Sequence, residues 1–398
     1  MTTHFDIAII GGGASGLVAA IAAARRGAAV AVLEKLPRVG KKILATGNGR
    51  CNLGNLSRNL DAYWGSVEMG PVLMAFPGEA DFFRSLGLWV RPDEAGRLYP
   101  ASFQAASVLD ALRLECARLG VAEICELAVR EIRQSEGGFT LTSDVAQVVA
   151  AQRVILAAGG AAGPQFGTSG DGVRLARTLG HTVTDCYPAL APIPVEAQRV
   201  RGLKGIRVQA EVTVLRDGRI AGREAGQVQF AEGTLTGICV FNLAHLRPHV
   251  LALDLLSWCE DAQGLLVEII NQRAEAVLED LLTGLFPKRI GQVLIKACTN
   301  QPLTAPASAL GQAEIAALAD LMKDWRFPTR PADNWDTAQV TAGGVTGVSA
   351  TLESPVVPGL YFAGEVLDVH GDCGGFNLRW AWASGWAAGE HAARGLGL

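Results

Sequence analysis

Three glycines near the start of the chain have the spacing that brings a backbone against a phosphate. Gly11, Gly13 and Gly16 form the motif G-x-G-x-x-G. The motif follows the apolar run Phe5–Ile10 and precedes an alanine-rich segment, as expected where a buried strand turns into a helix. The first glycine permits the turn, the second lets the backbone approach a pyrophosphate, and the third lets the helix lie close to the strand. A second apolar run ends at Glu34, where the acid that binds an adenosine ribose is expected, so we predict a dinucleotide site.

A second glycine-rich segment, near the other end of the chain, has related chemistry. A strand predicted over Gly359–Ala363 runs into Gly364 and Glu365, and a glycine-containing loop then precedes a helix predicted over Asn377–Ala393. Glu365 could accept a hydrogen bond from a sugar-alcohol hydroxyl. The helix N-terminus could hold the partial negative charge that a reduced isoalloxazine has at its N1–C2=O edge. Because the further βαβ repeats typical of a dehydrogenase that binds NAD are missing, this segment favours FAD.

The elements that must position these residues come from both ends of the chain. The apolar strand Arg153–Gly160 ends in two glycines, which suits a backbone that passes close to a flat ligand. Two nucleotide-handling segments at opposite ends predict one discontinuous α/β domain of residues 1–185 and 339–398. The middle is then an insertion. Alternation in VQAEVTVL and a turn at RDG predict antiparallel strands within 186–260, and apolar residues three and four apart predict helices within 261–338.

Composition and charge limit the class of protein. The 398 residues are 49 % apolar and 19 % charged, which suits a globular enzyme of more than one domain. The formal charge is −4 and no basic stripe stands out, so we expect neither nucleic acid nor a membrane as a partner. The N-terminal segment lacks the features of a secretory signal, and the eight cysteines show neither C-x-x-C nor Cys–His spacing. We therefore expect a cytoplasmic protein without a metal site.

Several motifs together resemble one known family. They are GKKILATGNGRCN (Gly40–Asn52), LAAGG, GTSGDG (Gly167–Gly172), VTAGGV and the C-terminal block GLYFAGEVLDVHGDCGGFNLRWAWASG. They resemble the HI0933-like family of FAD-binding flavoproteins, also called BaiN-like or aminoacetone-oxidase-like. The resemblance implies a glutathione-reductase-like FAD-binding Rossmann domain, interrupted by a β-rich and helical insertion, and an oxidoreductase that acts on an organic substrate. One departure lies in the insertion, where Ala231 and Glu232 replace the Thr-His pair of the family.

The resemblance also implies which residues contact FAD. Ala45 to Asn48 would pass along the pyrophosphate and reach the N5 side of the flavin. Lys41 and Lys42 have two interpretations, an exposed cationic surface or neutralisation of the pyrophosphate charges. The complete set of predicted FAD contacts is Gly11, Gly13, Ala14, Ser15, Gly16, Glu34, Lys35, Lys42, Thr46, Gly47, Asn48, Val129, Ala158, Gly159, Gly364, Glu365, Gly375, Phe376, Asn377 and Leu378.

Three further residues are candidates for the reaction itself. Arg50, next to the redox ring, could bind an anionic substrate or stabilise reduced flavin, or it could form a salt bridge to a neighbouring loop. His370 could donate a proton near neutral pH, or it could face solvent in a loop. Cys373 could pair with Cys51 as a redox-active couple, or both could be small buried thiols that fill gaps.

These residues predict two classes of function. In the first, FAD exchanges a hydride with a small organic substrate held between the FAD domain and the insertion, and NAD(P)H or oxygen regenerates the flavin. The chain has no second G-x-G-x-x-G, so NAD(P)H would have to dock transiently. In the second class, FAD is a structural or redox-sensing cofactor, or the protein is a flavin-dependent enzyme that modifies nucleic acid, against which the lack of a basic patch argues. An amine oxidase of the aminoacetone type is a further alternative. The choice between reductase and oxidase, and the oligomeric state, stay open at this point.

Overall fold

The computed structural model describes residues 3–398, which form two compact units. One unit combines the described residues up to Pro188 with Trp335–Leu398, and the other comprises Ala189–Asn334. Each unit has its own hydrophobic core. Among the helices within residues 3–398, none combines the length and the apolar character needed to cross a lipid bilayer.

Strands and helices are numbered here in chain order. The strands are β1 (Thr3–Ile10), β2 (Val30–Leu33), β3 (Gly54–Asn55), β4 (Tyr63–Gly65), β5 (Val90–Pro92), β6 (Arg97–Pro100), β7 (Ala122–Ile124), β8 (Val129–Ser135), β9 (Gly138–Ser143), β10 (Val148–Leu156), β11 (Tyr187–Ala189), β12 (Ile193–Pro194), β13 (Arg207–Arg216), β14 (Arg219–Ala231), β15 (Thr234–Thr236), β16 (Val250–Asp254), β17 (Trp325–Pro328), β18 (Val340–Ala342), β19 (Leu360–Phe362) and β20 (Val369–Gly371). The helices are α1 (Ala14–Arg25), α2 (Lys41–Ala45), α3 (Met69–Ala75), α4 (Glu79–Ser85), α5 (Ala105–Arg118), α6 (Asp171–Thr178), α7 (Ile238–Leu243), α8 (Ala262–Gln272), α9 (Lys288–Cys298), α10 (Gln312–Lys323) and α11 (Phe376–Arg394).

The first unit is built on a seven-stranded mixed sheet. Its order is β7-β2-β1-β10-β9-β8, and β19 also pairs with β10. β7, β2, β1, β10 and β19 run parallel, whereas β9 and β8 pair antiparallel. Ile7–Ile10 and Val30–Leu33 are buried throughout, as expected for strands that are covered on both faces. The α/β class and the parallel Rossmann-like sheet predicted from the sequence are confirmed.

Helices α1 and α11, from opposite ends of the chain, pack with their backbones in contact. In α1, Ser15–Ala24 are all buried. A side chain at Gly385 of α11 would overlap the carbonyl oxygen of Ser15, and one at Gly389 would overlap that of Ala19. Glycine is the residue that allows this approach, because it has no Cβ. Small residues therefore hold the two ends of the chain together.

The second unit contains a six-stranded antiparallel sheet with helices α7 to α10. The strand order is β12-β15-β14-β13-β16-β17. Side chains of β13 alternate between exposed and buried positions, as the alternation in the sequence predicts. β17 lies within the stretch 261–338, for which the sequence predicts helices. Trp325 and Phe327 are instead buried, and β17 pairs with β16. Aromatic residues that alternate over so short a segment favour a strand over a helix.

We expect Gly385→Ala to destabilise the first unit by about 1–3 kcal/mol, because the added methyl group overlaps the Ser15 carbonyl oxygen. The matched control is Gly70→Ala in α3, where the nearest atom to an added methyl group, Leu60 Cδ1, is 3.8 Å away. This control should raise stability slightly or leave it unaltered. Urea unfolding followed by circular dichroism measures both effects. Equal midpoints for Gly385→Ala and the unsubstituted protein would contradict the close packing of α1 against α11.

Candidate functional site

The first unit contains a large cleft at the carboxyl ends of its parallel strands. Ile10, Leu33 and Ala157, at the ends of β1, β2 and β10, form part of its wall. Its volume, counted to the open mouth, is about 1330 Å³. This volume includes the solvent at the open mouth, so it is the upper bound of the space that a ligand could occupy. Parallel α/β sheets usually bind ligands at this edge.

The three positions of the first motif, Gly11, Gly13 and Gly16, differ in what a side chain there would contact. Gly11 has a φ of +106°, and a Cβ there would lie 2.5 Å from the carbonyl oxygen of Ala157. A side chain at Gly16 would overlap the carbonyl oxygen of Gly11. Gly13 differs, since its φ is −83° and an added Cβ would meet no atom within 4 Å. The fold therefore does not require glycine at position 13. A side chain there would fill the open space beside Gly13, a space here called the cradle.

The N-terminus of α1 meets the cleft at this cradle. Ala14 and Ser15 line the cleft, Gly13 provides no capping side chain, and the first turn of α1 has no acidic residue. The first N–H to bond within the helix is that of Leu17, which donates to Gly13 O. The preceding N–H groups and the positive end of the helix dipole attract anions. A pyrophosphate therefore fits the residues that are present.

Glu34 lies at the end of β2 with its carboxylate already oriented. The Gly12 N–H donates to Oε2 and the Leu36 N–H donates to Oε1, each at 2.9 Å. A carboxylate oxygen has further acceptor capacity, so a ribose hydroxyl could still bind. A side chain at Gly12 would overlap Val39 and crowd Glu34, which explains why this position is also glycine.

Lys35 pairs with the first residue of α6, Asp171, and with the loop that precedes this helix. Its Nζ lies 2.6 Å from Asp171 Oδ2 and 2.6 Å from Ser169 Oγ. Burial opposes ionisation of Asp171, but the hydrogen bonds from Lys35 and Ser169 outweigh this effect and lower the pKa of Asp171 to about 2. Both Lys35 and Asp171 line the cleft. Asp171 is absent from the predicted contacts, although its motif GTSGDG is part of the family resemblance.

Lys42 and Glu365, predicted as separate cofactor contacts, pair with each other. Lys42 Nζ lies 2.7 Å from Glu365 Oε2, and the Thr341 N–H donates to Oε1 at 2.9 Å. Thr341 Oγ1 in turn accepts hydrogen bonds from the N–H groups of Ala161 and Ala162. Lys42 is therefore a half-buried cation in the cleft wall, and Lys41 also lines the cleft. Thr341 was not predicted, because the N–H groups of Ala161 and Ala162 that its hydroxyl binds are 180 and 179 residues away in the sequence.

The loop Gly40–Asn52 meets the cleft with residues of its front half and with Thr46, the first residue of its rear half. Thr46 lines the cleft, whereas Gly47 and Asn48 are exposed and lie outside its lining. Gly47, Asn48 and Cys51 have positive φ angles of +56°, +54° and +56°. Glycine and asparagine adopt this region readily, whereas cysteine does so rarely. The chain thus turns away from the cleft after Thr46.

Arg50 and Cys51 follow this turn. Arg50 is exposed and lies outside the cleft lining, and its guanidinium forms no ion pair with any residue that the structure describes. Cys51 is fully buried. Burial raises the pKa of its thiol to about 12, and a hydrogen bond with Thr46 offsets only part of this rise. Within residues 3–398 no disulfide forms, so Cys51 and Cys373 are not linked.

His370 lies in a paired strand and not in a loop. It belongs to β20, which pairs with β4, and only 5 % of its surface is exposed. The expectation of a solvent-facing loop histidine is therefore wrong, because strand pairing buries this residue. The neighbouring Val369 lines the cleft, and successive side chains of a strand point to opposite faces. His370 is thus outside the cleft lining, as is the half-buried Cys373.

A second helix N-terminus meets the cleft at α11. Asn377 and Leu378 line the cleft, and Gly375, with a φ of +101°, precedes the helix without a capping side chain. The first bond within the helix runs from the Arg379 N–H to Gly375 O. The earlier N–H groups can therefore face a partial negative charge. Two hydrogen bonds with the backbone of Gly371, at 2.7 and 2.8 Å, hold the Asn377 side chain in place.

Most of the predicted FAD contacts thus meet in one cleft. Those that line it are Gly11, Gly13, Ala14, Ser15, Glu34, Lys35, Lys42, Thr46, Val129, Ala158, Gly159, Glu365, Asn377 and Leu378. Those outside the lining are Gly16, Gly47, Asn48, Gly364, Gly375 and Phe376. Trp380 lines the cleft but was not predicted, because an aromatic residue in an apolar helix resembles an ordinary core residue. In the part of the chain that the structure describes, no group of side chains has the arrangement of a metal site.

The pKa of Cys51 leads to a test of the proposed thiol pair. At pH 8, about one Cys51 thiol in ten thousand is ionised, because its pKa is about 12. We therefore expect the native protein to resist alkylation of Cys51 by iodoacetamide, as measured by peptide mass mapping. Cys259, which is half-buried, is the control and should be modified much faster. Modification of Cys51 at the rate of Cys259 would show that Cys51 is a reactive thiol.

Comparison with known proteins agrees with this geometry. The model of the HI0933-like protein Rossmann domain matches residues 5–391. The 3-dehydro-bile acid delta(4,6)-reductase of Clostridium scindens is 39 % identical over 97 % of this chain and 98 % of its own. The ribosomal RNA dihydrouridine synthase of Escherichia coli is 30 % identical over the same shares of the two chains.

A solved structure shows the same fold. Quinol fumarate reductase FrdA of Escherichia coli superposes with a TM-score of 0.51 at 18 % identity, over 99 % of this chain and 71 % of its own. An identity this low supports a likeness of fold alone. The family match and the extended identity to the bile-acid reductase go further. The chain therefore belongs to the HI0933-like family and is an FAD-dependent oxidoreductase.

Proposed function

We propose that this chain reduces a carbon–carbon double bond conjugated to a carbonyl group, with FAD bound in the cleft. The main support is the cleft itself, where two helix N-termini, the open space at Gly13 and the oriented carboxylate of Glu34 meet. The activities of two relatives support the type of reaction that we propose. The delta(4,6) double bonds of a 3-dehydro bile acid and the double bond lost in dihydrouridine are all conjugated to a carbonyl.

Each part of the cleft has a role in this proposal. The N-terminus of α1 would hold the pyrophosphate, and Glu34 would bind the ribose. Glu365 would accept hydrogen bonds from the ribityl chain, with its charge balanced by Lys42. The N-terminus of α11 would stabilise negative charge on the reduced ring. When bound, FAD supplies the hydride transfer that side chains cannot perform.

Negative charge develops on the substrate during the proposed reaction. A hydride adds to the β-carbon, a proton adds to the α-carbon, and the carbonyl oxygen is negatively charged between these steps. Arg50 lies outside the cleft lining, and its exposed guanidinium forms no ion pair among the described residues, so we assign it to an anionic group of a substrate that extends beyond the cleft. NAD(P)H, docking transiently, would supply the two electrons, as expected in a reducing cytoplasm.

A small molecule is the substrate that we propose. The formal charge of −4 does not favour binding to a polyanion. The relative that acts on ribosomal RNA is also less similar, at 30 % identity against 39 %. Its similarity nevertheless supports a second candidate, reduction of a uracil base in RNA. Both candidates share the same cleft and the same bond chemistry, so one assay with two substrates separates them.

Anaerobic turnover tests the function. We expect NADH or NADPH to bleach the visible absorbance of the bound flavin, and a steroid with a 3-keto-4-ene group to restore it. The saturated 3-keto steroid is the control and should not restore it, because it has no conjugated double bond. Restoration by ribosomal RNA with formation of dihydrouridine, and not by the enone, would support the second candidate. If an amine bleaches the flavin while neither nicotinamide does, the protein is an oxidase and the proposal fails.

Gly13→Val tests the placement of the cofactor. The valine side chain fits the apoprotein, because no atom lies within 4 Å of the added Cβ and the φ of −83° is ordinary. It would occupy the cradle at the N-terminus of α1, so we expect FAD binding to be lost while the melting temperature of the apoprotein is unchanged. Gly16→Val is the contrasting variant. It should lower both FAD binding and the melting temperature of the apoprotein, because its side chain overlaps the Gly11 carbonyl oxygen. A yellow Gly13→Val protein would show that the pyrophosphate binds elsewhere.

A further inference from the structure

Arg379, in the first turn of α11, is buried, and its guanidinium binds both the segment that follows the loop Gly40–Asn52 and the carboxylate of Glu79. Only 3 % of its surface is exposed. Nη1 donates to Ser57 O at 2.6 Å, Nη2 donates to Asn55 O, and Nε pairs with Glu79. A planar guanidinium holds three such acceptors in fixed directions. Its geometry therefore sets where Asn55 and Ser57 lie relative to α11.

Two further hydrogen bonds fasten the same segment to the start of α11. Trp382 Nε1 donates to Leu53 O at 2.9 Å, and Asn55 Nδ2 donates to Gly374 O at 3.0 Å. Residues 53–57 thus contact the first two turns of the helix and the loop before it. Because this segment continues directly from Asn52, its position limits where the rear half of the loop can lie.

Glu79 serves to hold Arg379. It is 1 % exposed, it is the first residue of α4, and the N-terminus of that helix favours its negative charge. A side chain at Gly54 would overlap its carboxylate, so the glycine allows the ion pair to form. Arg58 lies 3.7 Å away on the solvent side. Neither Glu79 nor Arg379 lines the cleft, so neither can contact the cofactor directly.

We propose that Arg379 and Glu79 are positioning residues for the FAD site. Their ion pair fixes the rear half of the loop, Thr46–Asn52, against the N-terminus of α11. Thr46 and Asn377 both line the cleft and lie at the two ends of this connection. A shift of residues 53–57 would move the two walls relative to each other without removing a single contact to FAD. The inference rests on the proposed use of the cleft for FAD, but its structural part can be tested without the cofactor.

The test must separate positioning from simple stabilisation. A single substitution would leave a buried charge without its partner and could unfold the protein. We therefore choose the double variant Arg379→Met with Glu79→Leu, which removes both charges and keeps apolar volume. The variant Arg379→Lys retains the ion pair but loses the planar fork. The control is Arg25→Met with Glu115→Leu, which removes a partly buried pair between α1 and α5, away from the cleft.

Hydrogen exchange of the apoprotein is the first measurement. The N–H groups of Cys51, Leu53 and Leu56 donate to Thr46, Leu98 and Gly96, so they should be protected. We expect the double variant to exchange these amides about tenfold faster or more, because the segment is released locally. The control should leave them unchanged at a similar melting temperature. Unchanged exchange in the double variant would overturn the proposal, whether or not the protein binds FAD.

The visible circular dichroism of bound FAD is the second measurement, because it reports the surroundings of the ring. We expect the double variant and Arg379→Lys to retain FAD with an altered spectrum and a lower kcat, and the control to match the unsubstituted protein. A native spectrum and native kcat in a double variant of native stability would show that the pair acts only on stability. Absence of FAD from the unsubstituted protein would instead refute the proposed function and leave the exchange result to decide the positioning role.

Discussion

The first unit depends on the close contact between α1 and α11. The two helices come from opposite ends of the chain, and Gly385 and Gly389 let the backbone of α11 lie against the carbonyl groups of Ser15 and Ala19. This contact determines more than stability. Each helix begins at the cleft, after a glycine without a capping side chain, so packing the two helices together also brings both helix N-termini to one cleft. The same packing therefore determines the geometry of the proposed cofactor site.

Electrostatics in the cleft explain why that placement matters. The charged side chains in its wall are Glu34, Lys35, Lys41, Lys42, Asp171 and Glu365, three of each sign. Lys35 is paired with Asp171 and Lys42 with Glu365. The pyrophosphate of the proposed cofactor would add two negative charges to this formally neutral wall. In that case its attraction would come largely from backbone N–H groups and helix dipoles, whose direction is set by packing. The open space at Gly13 lies where these groups converge.

The features predicted from the sequence are those that local patterns determine. The glycine motif, the acid at Glu34 and the alanine-rich helix each depend on residues within about one βαβ unit. The ion pair between Arg379 and Glu79 joins positions 300 residues apart, so no local sequence pattern predicts it. The burial of His370 could not be predicted for the same reason. The glycines and aspartates around it predict a loop, whereas pairing with the distant strand β4 makes this segment a buried strand.

Substrate choice has to be argued from residues outside these local patterns. The departure from the family at Ala231 and Glu232 lies at the turn between β14 and β15, where the strands keep their register with Ala231 opposite Thr234. Glu232 is exposed and pairs with the exposed Lys204 at 2.9 Å. Such an exposed pair contributes little to stability because solvent screens it, so the fold does not need these particular residues. The change replaces a hydroxyl and a titratable imidazole with a methyl group and a carboxylate. The class of reaction follows from the FAD unit, whereas contacts that depend on the Thr-His pair cannot be transferred from the relatives to this chain.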